Sequence, residues 1–341
     1  MLKLPTTILH RGYLLACLFP IAINPVASQV ASNPAHDKLF STVAEIPLPG
    51  AAVRFDYVSV DAQHGRLYLA HMNDDHLVVF DLRKREVAAN LAGFKRVHGV
   101  IAVPGINRVF ASATGEHEMI AVEMSTLKRA GSAGPIDYPD GLAYSPGTNR
   151  VFVSDEHGGV DAVVDAATNK LIAAIPLGGG AGNTVYDAGS GKILVAVHSV
   201  NELVEIDPAT LKITGRYVLP GIENPHGIAL DEEKRLAFIA GEENHTLAVF
   251  DLKTMRLVSV HQVGEDPDVL ALDAALGRLY VSAESGTVTV LQEENGDLKE
   301  LGRVTMPHAH TVAVDPATHL VYFPLENVNG HPVLRILQPG L

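Results

Sequence analysis

The sequence predicts an all-β chain: a seven-bladed β-propeller with four-stranded antiparallel blades, its ring closed by an N-terminal strand. The first observation is a repeat. Strand-like runs recur as RLYLA at 66–70, RVFAS at 108–112, RVFVS at 150–154, KILVA at 192–196, LAFIA at 236–240, RLYVS at 278–282 and LVYFP at 320–324. Their central residues, Tyr68, Phe110, Phe152, Leu194, Phe238, Tyr280 and Tyr322, are spaced by 42, 42, 42, 44, 42 and 42. The second observation is that each repeat holds four short apolar segments, as at 227–230, 236–240, 247–250 and 257–260. Four strands in roughly 40–45 residues is the arithmetic of a propeller blade. The third is at the ends. The seventh repeat has only three strands, at 311–314, 320–323 and 333–337, while 42–48 resembles the fourth strand of other repeats, such as 301–306. Residues 42–48 are therefore expected to complete the last blade and remove the open edges that invite aggregation.

Composition agrees with many strands and turns. The 341 residues are 47% hydrophobic and 19% charged, and 30 Gly and 20 Pro punctuate the apolar runs, which argues against helix bundles. The runs do not alternate cleanly, as expected of blades buried on both faces. With 26 Lys and Arg against 39 Asp and Glu the formal charge is -13, and an acidic surface repels phosphate backbones, so no nucleic-acid partner is expected.

Ahead of the repeats, Lys3 and Arg11, an apolar run from Gly12 to Ile23, and the small residues Val26-Ala27-Ser28 read as a secretory signal peptide over 1–28. A linker over 29–41 and a single propeller over 42–341 follow. The apolar run falls short of the ~20 residues that span a bilayer, so the mature chain is expected to carry no integral membrane segment and to be periplasmic or secreted. A retained membrane anchor is one other reading of the leader, and lipid attachment at Cys17, the sole cysteine, which follows Leu14-Leu15-Ala16, is a second. Cleavage near Ser28 removes Cys17, excluding disulfides and thiol catalysis, and loss of Lys3 and Arg11 takes the charge from -13 to -15.

The strings RLYLA, RLYVS and RVFVS, the openings PHGIALD and DPDVLALD, and the segments LAVFDLKTMRLV and LVEIDPATLKIT resemble the YVTN-type repeats of bacterial YncE-like propellers. The resemblance covers about residues 42–338, and its closest approach to the tetrapeptide itself is Leu-Tyr-Val-Ser at 279–282. It implies the seven-bladed fold, with lactonase-type propellers as more distant relatives. Propellers host binding scaffolds, lactonases, lyases and redox enzymes, so function has to be read from the site.

Repetition separates turn residues from candidates for chemistry. Asp61, Asp187, Asp231, Asp273 and Asp315 end first strands and Asp81, Asp165, Asp207 and Asp251 end third strands, where Asp bonds its own turn backbone. The column at the start of each first strand is different: Asp56, His98, Asp140, Gly182, His226, Asp268 and His310. If the innermost strands line the axis, these residues ring one mouth of the channel. Either neighbouring Asp and His satisfy one another, or the imidazoles hold a metal ion. A second column, Met72, Thr114, Glu156, His198, Glu242, Glu284 and Glu326, follows the second strands and is expected above the same mouth.

These residues point to an exported, monomeric propeller that binds a small polar molecule or an envelope protein at a His/Asp/Glu-rich face. The alternative is a metal-dependent, lactonase-like hydrolase or a lyase. In that reading one divalent ion, held by some of His98, His226, His310, Glu242, Glu284 and Glu326, polarises a carbonyl and activates water, and Asp56, Asp140, Asp268 and His226 are the catalytic candidates. No nucleotide, flavin or quinone is expected. The glycines at 178–182 precede no helix or Lys-Ser/Thr pair, and Trp, on which planar quinones stack in other propellers, is absent.

Overall fold

Seven four-stranded antiparallel sheets succeed one another along the chain, six of them built from four consecutive strands. The computed structural model describes residues 1–2 and 38–340. The rest of the expected leader, Cys17 with it, and the linker up to residue 37 lie outside the described residues. Residues 38–340 belong to one compact unit, in which no helix is long and apolar enough to cross a membrane. The innermost strands are Val58–Asp61, Val97–Val103, Pro139–Ser145, Ala181–Asp187, Pro225–Asp231, Pro267–Asp273 and Ala313–Val314. They pack on one another in cyclic order, the last against the first.

The lack of alternation has its cause in the packing. Leu67, Tyr68, Leu69 and Ala70 are all fully buried, because successive side chains point to opposite faces of the blade and each face is covered by a neighbour. Between the first two blades, Tyr68, Ala70 and Val79 pack against Val97, Val109 and Ala111. Each fully buried aromatic or large aliphatic side chain contributes about 1.5–3 kcal/mol of transfer free energy. Outermost strands such as Glu86–Ala92 do alternate, exposed and half-buried, because they form the rim. The turn aspartates act as turn residues: Asp61, Asp231 and Asp273 accept hydrogen bonds from the backbone N–H of His64, Lys234 and Leu276 at 3.1, 2.8 and 3.2 Å.

The ring closes through the N-terminus. Phe40–Pro47 pairs antiparallel with His331–Pro339, Phe40 opposite Pro339 and Pro47 opposite Val333, and so forms the outermost strand of the seventh blade. The strand begins two residues before the predicted 42, since Phe40 is an anchor. Its ring lies 5.6 Å from that of Tyr280 and 6.2 Å from that of Phe323, in the core between blades six and seven. Arg335 reaches across the pair to Glu45, Nε to Oε1 at 2.6 Å. Deleting residues 40–47 unpairs a whole strand and exposes that core, so the truncated chain is expected to elute as aggregate on size exclusion and to lose its cooperative melt. A soluble, monomeric deletion variant with native melting would show that closure contributes nothing to stability.

One buried carboxyl breaks the blade pattern. Where blades 1, 2, 4, 5 and 6 place Leu77, Met119, Leu203, Leu247 and Val288, blade 3 places Asp161, fully buried. Thr184 Oγ1 donates to Asp161 Oδ2 at 3.4 Å, and Oδ1 has no partner. Burial pushes this carboxyl up to about 8 from an ordinary 3.8, offset only in part by Thr184. The folded chain therefore keeps a proton that the unfolded chain releases. Stability falls as pH rises from about 4, and the loss is complete above about 8. Asp161→Asn should melt several degrees above the parent at pH 8.5 and close to it at pH 4.5, read by thermal denaturation at both pH values. A constant difference across that range would mean that Asp161 does not titrate there.

Candidate functional site

At the start of five innermost strands the ladder to the second strand breaks. Register shifts fall between Val97 and Val100, Pro139 and Leu142, Ala181 and Thr184, Pro225 and Ile228, and Pro267 and Leu270. The two residues skipped each time are a member of the first column and its successor: His98-Gly99, Asp140-Gly141, Gly182-Asn183, His226-Gly227 and Asp268-Val269. A bulge frees a residue from the ladder and re-aims its side chain. A Cβ at position 99 would lie 2.1 Å from the Asp140 carbonyl oxygen, and one at 227 would lie 1.8 Å from that of Asp268. Glycine at these positions lets neighbouring innermost strands approach, and His226 comes within 3.6 Å of Asp268.

The result is a cavity of about 190 Å³, walled by Arg54, Asp56, Tyr57, His98, Tyr138, Asp140, Glu156, His226, Glu242, Asp268 and Glu284. Asp56, His98, Asp140, His226, Asp268 and His310 are all buried. His226 is the hub: its Nε2 lies 3.1 Å from the Tyr57 hydroxyl, 3.5 Å from Asp140 Oδ2 and 3.6 Å from Asp268 Oδ1. Its Nδ1 lies 3.0 Å from His198 Nε2 and 3.3 Å from Glu242 Oε1. His310 Nε2 approaches Asp268 Oδ2 at 2.9 Å, Asp56 Oδ1 at 3.6 Å and Arg54 Nη2 at 2.8 Å. His98 is held by its surroundings: Nδ1 lies 2.8 Å from the Arg96 carbonyl and 2.7 Å from Thr114 Oγ1, and Nε2 lies 3.2 Å from the Tyr138 hydroxyl and 4.0 Å from Asp56. Among the described residues two triads could hold a cation, each with its ligand atoms within 4.8 Å of one another: His198, His226 and Glu242, and Asp56, Asp268 and His310.

Charges inside the mouth hold one another. Burial opposes charging His310, but Asp268 and Asp56 outweigh it and raise its pKa to about 10. Burial likewise opposes charging His226, where Glu242, Asp140 and Asp268 prevail and keep it protonated well above the ordinary range. Reciprocally, burial would raise Asp268 and Asp56, yet His310 and its cationic neighbours hold both below the usual carboxylate value. Glu156, Glu242 and His198 go the other way, and burial raises the Glu156 carboxyl. Burial raises Glu242 to about 7 against the pull of His226, and burial with the neighbouring His226 lowers His198 to about 3, so that ring is neutral.

The structure thus brings together Asp56, His98, Asp140, His226, Asp268 and His310, with Glu242 beside them. Glu284 sits at the edge, its Oε1 2.9 Å from Arg54 Nη1. Glu326 is not part of the cavity wall; it pairs with His308 at 2.5 Å outside it. The column arithmetic missed Arg54, Tyr57 and Tyr138, which stand beside the repeat positions. It placed His198 in the second column above the mouth but not among the metal candidates. A signal for His198 existed: the first column loses its side chain only at Gly182, and a Cβ there would lie 2.5 Å from His198 Nε2. The imidazole from the following loop fills the place that other blades give to Asp or His.

Fold and site define a seven-bladed β-propeller with a polar cavity lined by carboxylates and imidazoles at one mouth of its ring. No protein-family model and no curated protein sequence matches the chain. Among solved structures it is similar to a virginiamycin B lyase from Staphylococcus aureus, with a TM-score of 0.73 at 11% identity over 87% of this chain and 99% of that one. It is also similar to a streptogramin B lyase, at 0.72 and 11% over 88% and 98%. A third similar structure is the hydrazine synthase of Kuenenia stuttgartiensis, at 0.71 and 14% over 86% and 98%. At such identities the likeness is one of fold.

The close approach at Gly227 makes a direct prediction. Gly227→Ala forces the fifth and sixth innermost strands apart and should lower stability by about 1–3 kcal/mol, measured by denaturant unfolding. An unchanged midpoint would show that the strands are not in contact there.

Proposed function

We propose that the chain takes a small polar molecule into the axial cavity and acts on it by proton transfer, as a lyase. One observation carries the reading. The cavity wall is made of carboxylates, imidazoles, two phenols and one guanidinium, and includes no Ser, Thr or Cys. Such a wall is rich in acids and bases and lacks the Ser, Thr or Cys nucleophile most often used for acyl transfer. At about 190 Å³ the cavity is smaller than the ~300 Å³ at which drug-sized sites begin, so the substrate, or the part of it that reacts, is small.

Roles follow from how firmly each group is tied. Asp56 and Asp268 are engaged by His310 and Arg54. Asp140 faces only the edge of His226, at 3.5 Å, and is the base that removes a proton next to a carbonyl. Tyr57, its hydroxyl against His226, is the acid that protonates the departing oxygen. The C–H electron pair becomes the new C=C bond as the C–O bond breaks. That two of the similar structures are lyases supports the reading by analogy of fold alone. A second reading is favoured by the open groove of about 640 Å³ beside the mouth, lined by Glu242, Glu243, Glu265, Asp266 and Glu284: a scaffold that captures a cationic envelope partner without turnover. Export by the 1–28 leader belongs to both.

The test is a panel of small β-oxygenated carbonyl compounds, lactones and esters given to the mature chain. Asp140→Asn and Tyr57→Phe are each expected to lower turnover by about 10²–10⁴-fold with melting unchanged. Absence of both turnover and ligand-induced stabilisation across the panel, in protein that melts as native, would sink the enzyme reading.

A further inference from the structure

We propose that His198 Nε2, His226 Nδ1 and Glu242 Oε1 form a site for one divalent transition-metal ion at the mouth of the axial cavity. The inference rests on the reading that this mouth is the functional one, and needs no particular reaction.

Three independent features carry it. The first is spacing. Bonds of about 2.0–2.2 Å at angles near those of a tetrahedron or octahedron put neighbouring donor atoms roughly 3.0–3.5 Å apart. His198 Nε2 and His226 Nδ1 are 3.0 Å apart, and His226 Nδ1 and Glu242 Oε1 are 3.3 Å apart. The second is what stands behind the donors. A metal-bound imidazole donates its other N–H to a carboxylate or hydroxyl, which fixes the tautomer and the ring plane. His226 Nε2 has the Tyr57 hydroxyl at 3.1 Å, with the Asp140 and Asp268 carboxylates at 3.5 and 3.6 Å. The second oxygen of Glu242, Oε2, accepts a hydrogen bond from Asn224 Nδ2 at 2.7 Å, leaving Oε1 turned to His226. The third is the hole at Gly182. Only glycine leaves room for the His198 ring, since a Cβ there would come within 2.5 Å of Nε2 and 2.9 Å of Cδ2. The break in the first column thus admits the second imidazole.

The other triad, Asp56, Asp268 and His310, is a poorer home for a metal ion because Arg54, whose charge is permanent, already occupies it. Arg54 Nη2 lies 2.8 Å from His310 Nε2 and 3.9 Å from Asp268. Two imidazole nitrogens and one carboxylate oxygen suit Zn²⁺, Co²⁺, Ni²⁺ and similar ions, and discriminate against Mg²⁺ and Ca²⁺, which take all-oxygen shells. Glu242 lines the cavity, so the remaining coordination positions open towards whatever enters it.

The experiment is titration of untagged, chelator-stripped protein with Co²⁺ and Zn²⁺, followed by visible absorption and calorimetry, with Mg²⁺ in parallel. One ion per chain, a cobalt ligand-field band, and preference over Mg²⁺ are expected. His198→Ala and Glu242→Gln should weaken binding at least ~100-fold, and Asn224→Ala about 10–100-fold. Gly182→Ala, which keeps every donor but displaces the His198 ring, should weaken it as well. His308→Ala, at the exposed pair with Glu326, should leave affinity unchanged and serves as the control for surface histidines. The proposal is overturned if natively melting protein binds no Co²⁺ or Zn²⁺, or if His198→Ala binds as tightly as the parent. Metal uptake is read without substrate, so a chain that binds cobalt and turns over nothing in the panel upholds this site and removes the lyase reading. Turnover in natively melting protein that binds neither Co²⁺ nor Zn²⁺ does the reverse.

Discussion

The pairing of Phe40–Pro47 with His331–Pro339 is the constraint on which the rest depends. Every blade buries its two faces against its neighbours, so an open array would leave two apolar faces and two strand edges in water. Closure across the full length of the chain makes each blade's position depend on all the others. Only then do residues from five blades meet at one cavity. Phe40, seated against Tyr280 and Phe323, shows that this clasp is held by core packing as well as by backbone hydrogen bonds.

Placing so many charges inside a small space is costly unless they are paired. The mouth solves this by interleaving signs: His310 lies against Asp268 and Asp56, and His226 against Asp140, Asp268 and Glu242. Arg54 supplies the further positive charge that the carboxylates need, and Glu284 partners it at the solvent edge. Asp268 Oδ1 nevertheless has no hydrogen-bond partner among the described residues, and the His198 and His226 rings stack with their centroids 4.9 Å apart and their planes 27° from parallel. Polar groups left incompletely satisfied at a cavity wall are strain that a purely structural network would avoid.

Blade four is where the symmetry is given up. Its first-column residue is glycine, the space goes to an imidazole from the next loop, and His226 of blade five consequently faces Asp140 of blade three across the gap. A propeller with seven equivalent blades has a symmetric mouth. One missing side chain gives this mouth a direction, with His198, His226 and Glu242 on one side and Arg54 with His310 on the other.

The seven-fold ring and the strand closing it were legible in the sequence, because a 42-residue period with four apolar segments and a last repeat one strand short has few other solutions. The same period placed Asp56, His98, Asp140, His226, Asp268 and His310 at equivalent points of successive blades. Equivalence is not distance, however. The bulges that turn these side chains inward, the glycines that let strands meet, and the partners Arg54, Tyr57 and Tyr138 beside the columns follow from packing between blades far apart in sequence. Glu326 shows the same limit from the other side: it occupies the column of Glu242 and Glu284, yet His308, a local neighbour, takes its carboxylate outside the cavity. Local pattern determined the architecture, since burial on two faces is written residue by residue. Tertiary structure alone decided which members of each column converge, since that depends on tenths of an ångström at contacts no repeat can encode.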